Sequence, residues 1–241
     1  MSKPVVNNLV PVDGSGAMFD RIAKRYDMLN RLMSFGIDRI WRRKLLNALP
    51  NNGRILDVAT GTADVAIAIA DSNEALNVIG LDPSVGMLEV GVQKVYDYGL
   101  QDQIALEVGD AQYMAYPDDH FAGSCISFGI RNVPDRVLGL SEMTRVTAPG
   151  GTVVVLELSE PKGGIMAALA RFHVHHMVPI MGAIISGDKE YRYLQKSIQA
   201  FPDAPDFVKL MEEVGLTDVT AERLTFGTAH LYIGYVPQAA A

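Results

Sequence analysis

From 18 to 33, apolar and aromatic residues recur at helical spacing (Phe19, Ile22, Ala23, Tyr26, Leu29, Leu32, Met33), which predicts a helix. Ser34-Phe35-Gly36 breaks the run, and a second helix is predicted over 37–49. The period then changes. After the turn at 50–54, ILDVA (55–59) is an apolar run too short for a helix and reads as a buried strand. Helices at 62–70, 84–99 and 135–147 then alternate with strands at 77–82, 104–110, 124–129 and 152–159. Ser84 is placed to cap the second of these helices, and Pro149-Gly150-Gly151 to end the third. Such alternation predicts βαβ units and a parallel sheet with helices on both faces.

The alternation stops after 159. Residues 163–200 carry two helical stretches and 204–214 a short third one, while 219–236 reads as two strands around a tight turn at Phe226-Gly227. The expected fold is α/β: a doubly wound, mostly parallel, seven-stranded sheet ending in an antiparallel strand. Helices are added at 18–49, and a helical insertion or lid at 163–202 precedes the last hairpin. The turn-rich PVDGSGA makes 1–17 a flexible tail, and with no internal repeat 18–241 forms one domain.

Composition narrows the function. The chain has 241 residues, 49% hydrophobic and 20% charged, enough for one full core and against wholesale disorder. A net charge of −7 leaves no basic footprint for nucleic acid. The single cysteine, Cys125, permits no intrachain disulfide and no cysteine metal cluster, and reads as a buried core residue. MSKPVVNNLV lacks a secretory pattern, so the expected location is the cytoplasm. The apolar stretch 163–187 is interrupted by Arg171, His173, His175, His176 and Pro179. It fails as a membrane span, leaving a buried helix or one lying on a membrane surface. The three histidines lack an E-x-x-H partner and read as solvated or membrane-facing rather than as metal ligands.

Chemistry gathers where strands end. The first strand runs through Asp57 into a small-residue turn, Ala59-Thr60-Gly61-Thr62-Ala63-Asp64, that opens a helix, and Gly61 lets a ligand approach the backbone. Asp82 ends the next strand 21 residues after Gly61, where a carboxylate can accept the two hydroxyls of a ribose. Asp110-Ala111 ends the third strand, and Ser127 to Arg131 follows the fourth. Neither G-x-G-x-x-G nor a P-loop is present, and the acidic rim of Asp57, Asp64, Asp82 and Asp110 would repel a pyrophosphate. A cationic nucleoside such as S-adenosylmethionine suits it better.

Specific stretches then carry a resemblance: MFDRIAKRYDMLNRLMSFGIDRIWRR (18–43), ILDVATGTADVAIAIA (55–70), VIGLDPSVGML (78–88), GDAQYMAYPDDHF (109–121), ISFGIRNVPDR (126–136) and LELSEPKG (156–163). They continue with ISGDKEYRYLQKSIQAFP (185–202) and LTFGTAHLYIGY (224–235). The chain resembles the ubiquinone/menaquinone biosynthesis C-methyltransferases, a class I, Rossmann-like S-adenosylmethionine-dependent family. The resemblance implies donor contacts at Thr62 on the loop, Asp82 on the ribose, Asp110 and Ala111 by the adenine, and Ser127 at the methionine end, with Asp57 and Gly61 in the general class pattern. Thr60 and Ala63 stand where the family loop often has glycines.

The implied reaction puts a methyl group on a ring carbon of demethylmenaquinol, with a methoxybenzoquinol of ubiquinone biosynthesis as a further acceptor. Such chemistry needs no metal. Asp64 is the candidate base at the mouth of the loop, and Arg131 and Asn132 are candidates to stabilise a phenolate, with an ion pair the alternative for Arg131. His230 reads as a packed histidine; for Tyr26, Phe35 and Trp41 the resemblance suggests a quinol pocket, while aromatics at helical spacing are usually core. The implied partners are a polyprenylated quinol and, transiently, the inner membrane surface, with room for a homodimer. Another small apolar acceptor, or a non-catalytic donor-binding component of a quinone-biosynthetic assembly, stays open.

Overall fold

The computed structural model describes residues 5–6, 20, 23, 36–161 and 188–238. Helix α1 (Asp38–Asn47) buries Trp41 and Leu45, one turn apart on a single face. Strand β2 (Gly53–Val58) and helix α2 (Asp64–Ser72) follow, then β3 (Leu76–Asp82), α3 (Val85–Asp97), β4 (Ile104–Val108) and β5 (Phe121–Ser127). A single 3-10 turn, Ile130–Asn132, leads to α4 (Arg136–Val146) and the long strand β6 (Thr147–Leu158). Helices α5 (Asp188–Gln199) and α6 (Ala204–Glu213) precede the hairpin of β7 (Thr217–Leu224) and β8 (Ala229–Tyr235). Strand β1 is the pair Val5–Val6.

Sheet order is β1-β4-β3-β2-β5-β6-β8-β7. All neighbours run parallel except β8, which is antiparallel to both β6 and β7. The expected seven strands are present, and an eighth, β1, lies within the stretch read as a tail and pairs with Glu107 and Val108 of β4. Apolar runs mark strands covered on both sides: Val153, Val154, Val155 and Leu156 are all fully buried. One face packs under α1, α2 and α3 through Leu45, Ile69 and Leu88. The other packs under α4 and α6 through Leu140, Met143, Phe207 and Met211.

Helix starts follow their caps. Ser84 Oγ accepts the Met87 amide at 3.2 Å and Asp135 accepts the Leu138 amide at 3.0 Å, each satisfying an orphan N–H of a first turn. One expectation is corrected: Pro149-Gly150-Gly151 does not end α4. The helix stops at Val146, and the turn is absorbed inside β6 as an irregularity. Phe121 pairs with Thr147 but Gly123 with Thr152, so 148–151 bulges out of the ladder, with Gly150 at φ 79°. The stretch 163–187, with its three histidines, and Tyr26 and Phe35 lie outside the described residues.

Candidate active site at the carboxyl edge of the sheet

All the candidate binding residues fall at one rim, because parallel strands deliver their carboxyl ends to the same edge. The turn between β2 and α2 is left-handed at Ala59 (φ 52°), Gly61 (φ 57°) and Ala63 (φ 65°). Alanine at 63 therefore keeps the conformation that glycine usually supplies, at a cost of roughly 1–2 kcal/mol. Thr60 helps hold it: Oγ1 donates to Asp57 Oδ2 at 2.6 Å, and its amide donates to Leu81 O at 3.1 Å.

Asp82 ties two loops together. Its Oδ2 accepts the Gly61 amide and its Oδ1 the Ser84 amide, both at 2.8 Å. A carboxylate offers about four acceptor positions. Two remain for a vicinal diol, the group that a nucleoside would present. Burial pushes both Asp57 and Asp82 up to about 6, against the hydrogen bonds that favour their charged forms.

Beside Asp82, the β4 end carries Asp110, whose carboxylate turns back onto Gln112, accepting its amide at 2.9 Å and its side-chain nitrogen at 3.1 Å. Gln112 Oε1 in turn accepts the amide of Asp135, the cap of α4, at 3.0 Å. Ala111 is buried at this corner. At the β5 end, the buried Ser127 Oγ finds no partner among the described residues. A buried hydroxyl left without a partner costs about 1–3 kcal/mol, and a ligand's polar group would remove that cost. Next to it Phe128 is held at φ 58°, a strained value for a bulky residue. Gly129 allows this loop to meet the β2 turn, since a Cβ there would lie 2.6 Å from Ala59 Cβ.

The candidates for chemistry are less free than their sequence positions suggest. Asp64, in the first turn of α2, is ion-paired with Lys94 of α3 and with Arg42 of α1, the latter at 3.4 Å. Lys94 also donates to Thr62 Oγ1 at 3.3 Å. The charge of Asp64 thus fastens two helices to the loop, an arrangement suited to positioning more than to proton transfer. Arg131 is turned inward: Nη1 donates to Glu157 Oε1 and to Phe128 O, both at 2.6 Å. Its amide donates to Glu157 Oε2 at 3.1 Å. Asn132 Oδ1 accepts the Tyr193 hydroxyl at 3.1 Å, which leaves the amide hydrogens to face another group.

Several participants escaped the sequence reading. Asp20 caps α3, accepting the Gly86 amide at 2.9 Å and the Ser84 hydroxyl at 2.6 Å. Arg42 lies over the Phe128 ring, 5.8 Å from its centroid; Trp41, singled out in the sequence, meets that ring edge-on at 6.2 Å and is buried in the core. Glu157 was the legible one. An acid inside VVVLEL needs a buried partner. Cys125 is buried against Asp57, 3.6 Å away. Among the described residues no group of acidic, histidine or cysteine side chains could hold a metal, and no helix is long and apolar enough to cross a membrane.

A doubly wound sheet closed by an antiparallel hairpin is the Rossmann-like fold of S-adenosylmethionine-dependent methyltransferases. The fold matches phosphoethanolamine N-methyltransferase 2 of Haemonchus contortus, solved with S-adenosyl-L-methionine, at a TM-score of 0.66 and 14% identity, covering 91% of this chain and 60% of that one. The chain belongs to the ubiE/COQ5 methyltransferase family, whose model matches residues 12–236. It is 42% identical over 220 residues to the ubiquinone/menaquinone biosynthesis C-methyltransferase of Geobacter sulfurreducens, covering 90% of this chain and 86% of the relative. It is also 39% identical over 233 residues to the demethylmenaquinone methyltransferase of Bacteroides fragilis, covering 95% of each.

A pH dependence follows from Asp82. With Asp82 as the acceptor of a donor's diol, donor affinity is expected to fall as pH drops through about 6, where the carboxyl takes up a proton and loses acceptor capacity. Stability of the donor-free protein should move the other way. Asp57 and Asp82 bind protons more tightly folded than unfolded, so between their ordinary value of 3.8 and about 6 the folded state holds more protons. Their contribution to stability is therefore present below about 4 and lost as pH rises through about 6. Calorimetric titration with donor and urea unfolding across pH 4–8 would show whether the two trends cross.

Proposed function

We propose that the chain transfers a methyl group from S-adenosyl-L-methionine to a ring carbon of demethylmenaquinol. A polyprenyl methoxybenzoquinol is a second acceptor under the same reading. What carries the proposal is the pairing of a donor-shaped rim, Asp82 with its free acceptor positions and Ser127 with its unpartnered hydroxyl, with relatives named for these two quinone pathways. The donor supplies an electrophilic methyl on a positively charged sulfur.

The chain's own residues bind and orient it. Asp82 takes the ribose diol, Asp110 and Ala111 flank the adenine, and Ser127 takes the methionine end. Gly61 and Thr62 line the loop, over the buried Asp57 that Thr60 secures. The acidic rim also favours the positive donor over its neutral product. Asn132 offers its amide hydrogens to the acceptor oxygen as charge develops there, and Arg131, clasped by Glu157, fixes the turn that aims it. A polyprenyl acceptor also requires contact with a bilayer, which we assign on sequence grounds to 163–187.

Asp64 acts by placement. Asp64→Asn is expected to leave donor affinity within about threefold and lower turnover at least tenfold, because small displacements of the loop misalign the transfer. Turnover equal to wild type would remove Asp64 from the mechanism. The substrate assignment is tested by incubating the protein with labelled S-adenosylmethionine and reduced demethylmenaquinone, then a ubiquinone-precursor quinol, and locating the label by mass. Label on the naphthoquinol ring carbon is the expected result. No product on either quinol, with donor binding intact, points to another acceptor or to a non-catalytic binder.

A further inference from the structure

The start of β8 carries a group that this reading leaves without a task. His230 is half-buried, and its Nδ1 lies 2.7 Å from Ser159 Oγ just past the end of β6. The same Oγ donates to the Gly227 carbonyl at 2.9 Å. A serine hydroxyl has one proton. With that proton on the Gly227 bond, the short contact to the ring is satisfied only if Nδ1 carries hydrogen and donates. The neutral ring is then the Nδ1–H tautomer and Nε2 holds a free lone pair. Among the described residues Nε2 makes no hydrogen bond.

We infer that His230, oriented by Ser159, is the group that takes the proton from the acceptor hydroxyl. The inference rests on the methyltransferase reading above and supplies the base which that reading lacks. Placement supports it. In the sheet His230 pairs with Glu157, the residue that clasps Arg131, and Leu156 beside it pairs with Ser127. Two strand spacings, roughly 10 Å, separate the histidine backbone from the donor-side rim of β5.

The surroundings keep the imidazole neutral and ready. Burial, and then the Arg223 guanidinium on the paired position of β7, hold its proton affinity below the ordinary histidine value. Arg223 itself is drawn to the Phe226 carbonyl at 2.6 Å. Glu157 on the other neighbouring strand is committed to Arg131, and the Tyr232 ring stacks 5.9 Å away. In the step itself, the hydroxyl proton passes to Nε2 while the ring carbon's electron pair bonds the methyl and the sulfur–carbon bond breaks, its pair staying on sulfur. The displaced ring hydrogen then leaves as a proton, and the proton on Nε2 returns to oxygen. One proton is released per methyl transferred.

The test begins with wild-type protein and demethylmenaquinol; failure to form product there overturns the substrate reading and this assignment together, before any variant is made. With product formed, His230→Asn keeps a donor for Ser159 but has no base. Its kcat is expected to fall at least a hundredfold, with donor affinity from calorimetry within about threefold, as removal of a general base predicts. The acidic limb of the wild-type kcat–pH profile should vanish with it. Imidazole should restore rate to His230→Ala, which a purely structural role would not allow. Should either substitution unfold the protein in a thermal melt, Ser159→Ala serves instead, with turnover expected to drop about fivefold to tenfold, less than full loss of the base because the imidazole remains and only its orientation is lost. In the donor-free protein, nitrogen-15 spectra should show His230 protonated on Nδ1 alone at pH 7.5. A kcat for His230→Asn within threefold of wild type with the acid limb intact, or an Nε2–H tautomer, overturns the inference.

Discussion

Asp82→Ala is expected to eliminate measurable donor binding and methyl transfer together. Each hydrogen bond from a ligand hydroxyl to a buried carboxylate is worth about 1.5–3 kcal/mol, so losing both ribose contacts raises Kd by roughly 10²–10⁴. The loop suffers as well, because the amides of Gly61 and Ser84 lose their acceptors at 2.8 Å. Asp82→Asn does not rescue the site. One of its two side-chain ends must be an amide nitrogen, and that end would face a backbone N–H. Both variants should therefore fail in calorimetric titration with S-adenosylmethionine, while circular dichroism shows the sheet retained. Asp82→Ala with donor affinity near wild type would remove the ribose assignment.

Arg131→Met is expected to produce the largest loss of stability of any single change at the rim. Arg131 and Glu157 are buried side chains, 6% and 0% exposed, and the carboxylate also serves the amides of Arg131 and Leu158. Removing the guanidinium leaves a charge in the interior with no counter-ion, which costs about 3–5 kcal/mol. For a chain of this size that corresponds to a drop in Tm of roughly 10 °C. Adding Glu157→Leu should return most of the loss, since a buried pair replaced by apolar residues is often neutral or better. Urea unfolding of the single and double variants gives the comparison directly. A single variant as stable as wild type would mean that water reaches Glu157.

The two variants separate what the rim residues do. Asp82 should change affinity and leave the fold; Arg131 should change the fold, and activity only through the turn at Ile130–Asn132. In the sequence Asp82 reads as a ribose ligand and Arg131 as a phenolate stabiliser or one half of an ion pair. The ion pair was weighed for Arg131, yet the identity of its partner could not be read, because Glu157 stands 26 residues further on and one strand across.

Local patterns reported local structure well. Apolar runs gave the strands because buried parallel strands need apolar side chains on both faces. Ser84 and Asp135 marked helix starts because a side-chain acceptor there satisfies an orphan amide. The bulge at 148–151 was missed for a related reason: a Pro-Gly-Gly turn looks the same whether it ends an element or interrupts one.

The sequence by itself determined the alternation of elements, the rim on which Asp57, Gly61, Asp82, Asp110 and Ser127 fall, and the family resemblance carried by stretches such as 18–43 and 126–136. Only the tertiary structure decided which charge meets which: Asp64 with Arg42 and Lys94, Arg131 with Glu157, Asp20 with Ser84, Ser159 with His230. Periodicity encodes whether a side chain is buried within its own element. The partner across a gap of 22 to 71 residues is set by the sheet order, and that order emerges only when every strand has found its neighbour.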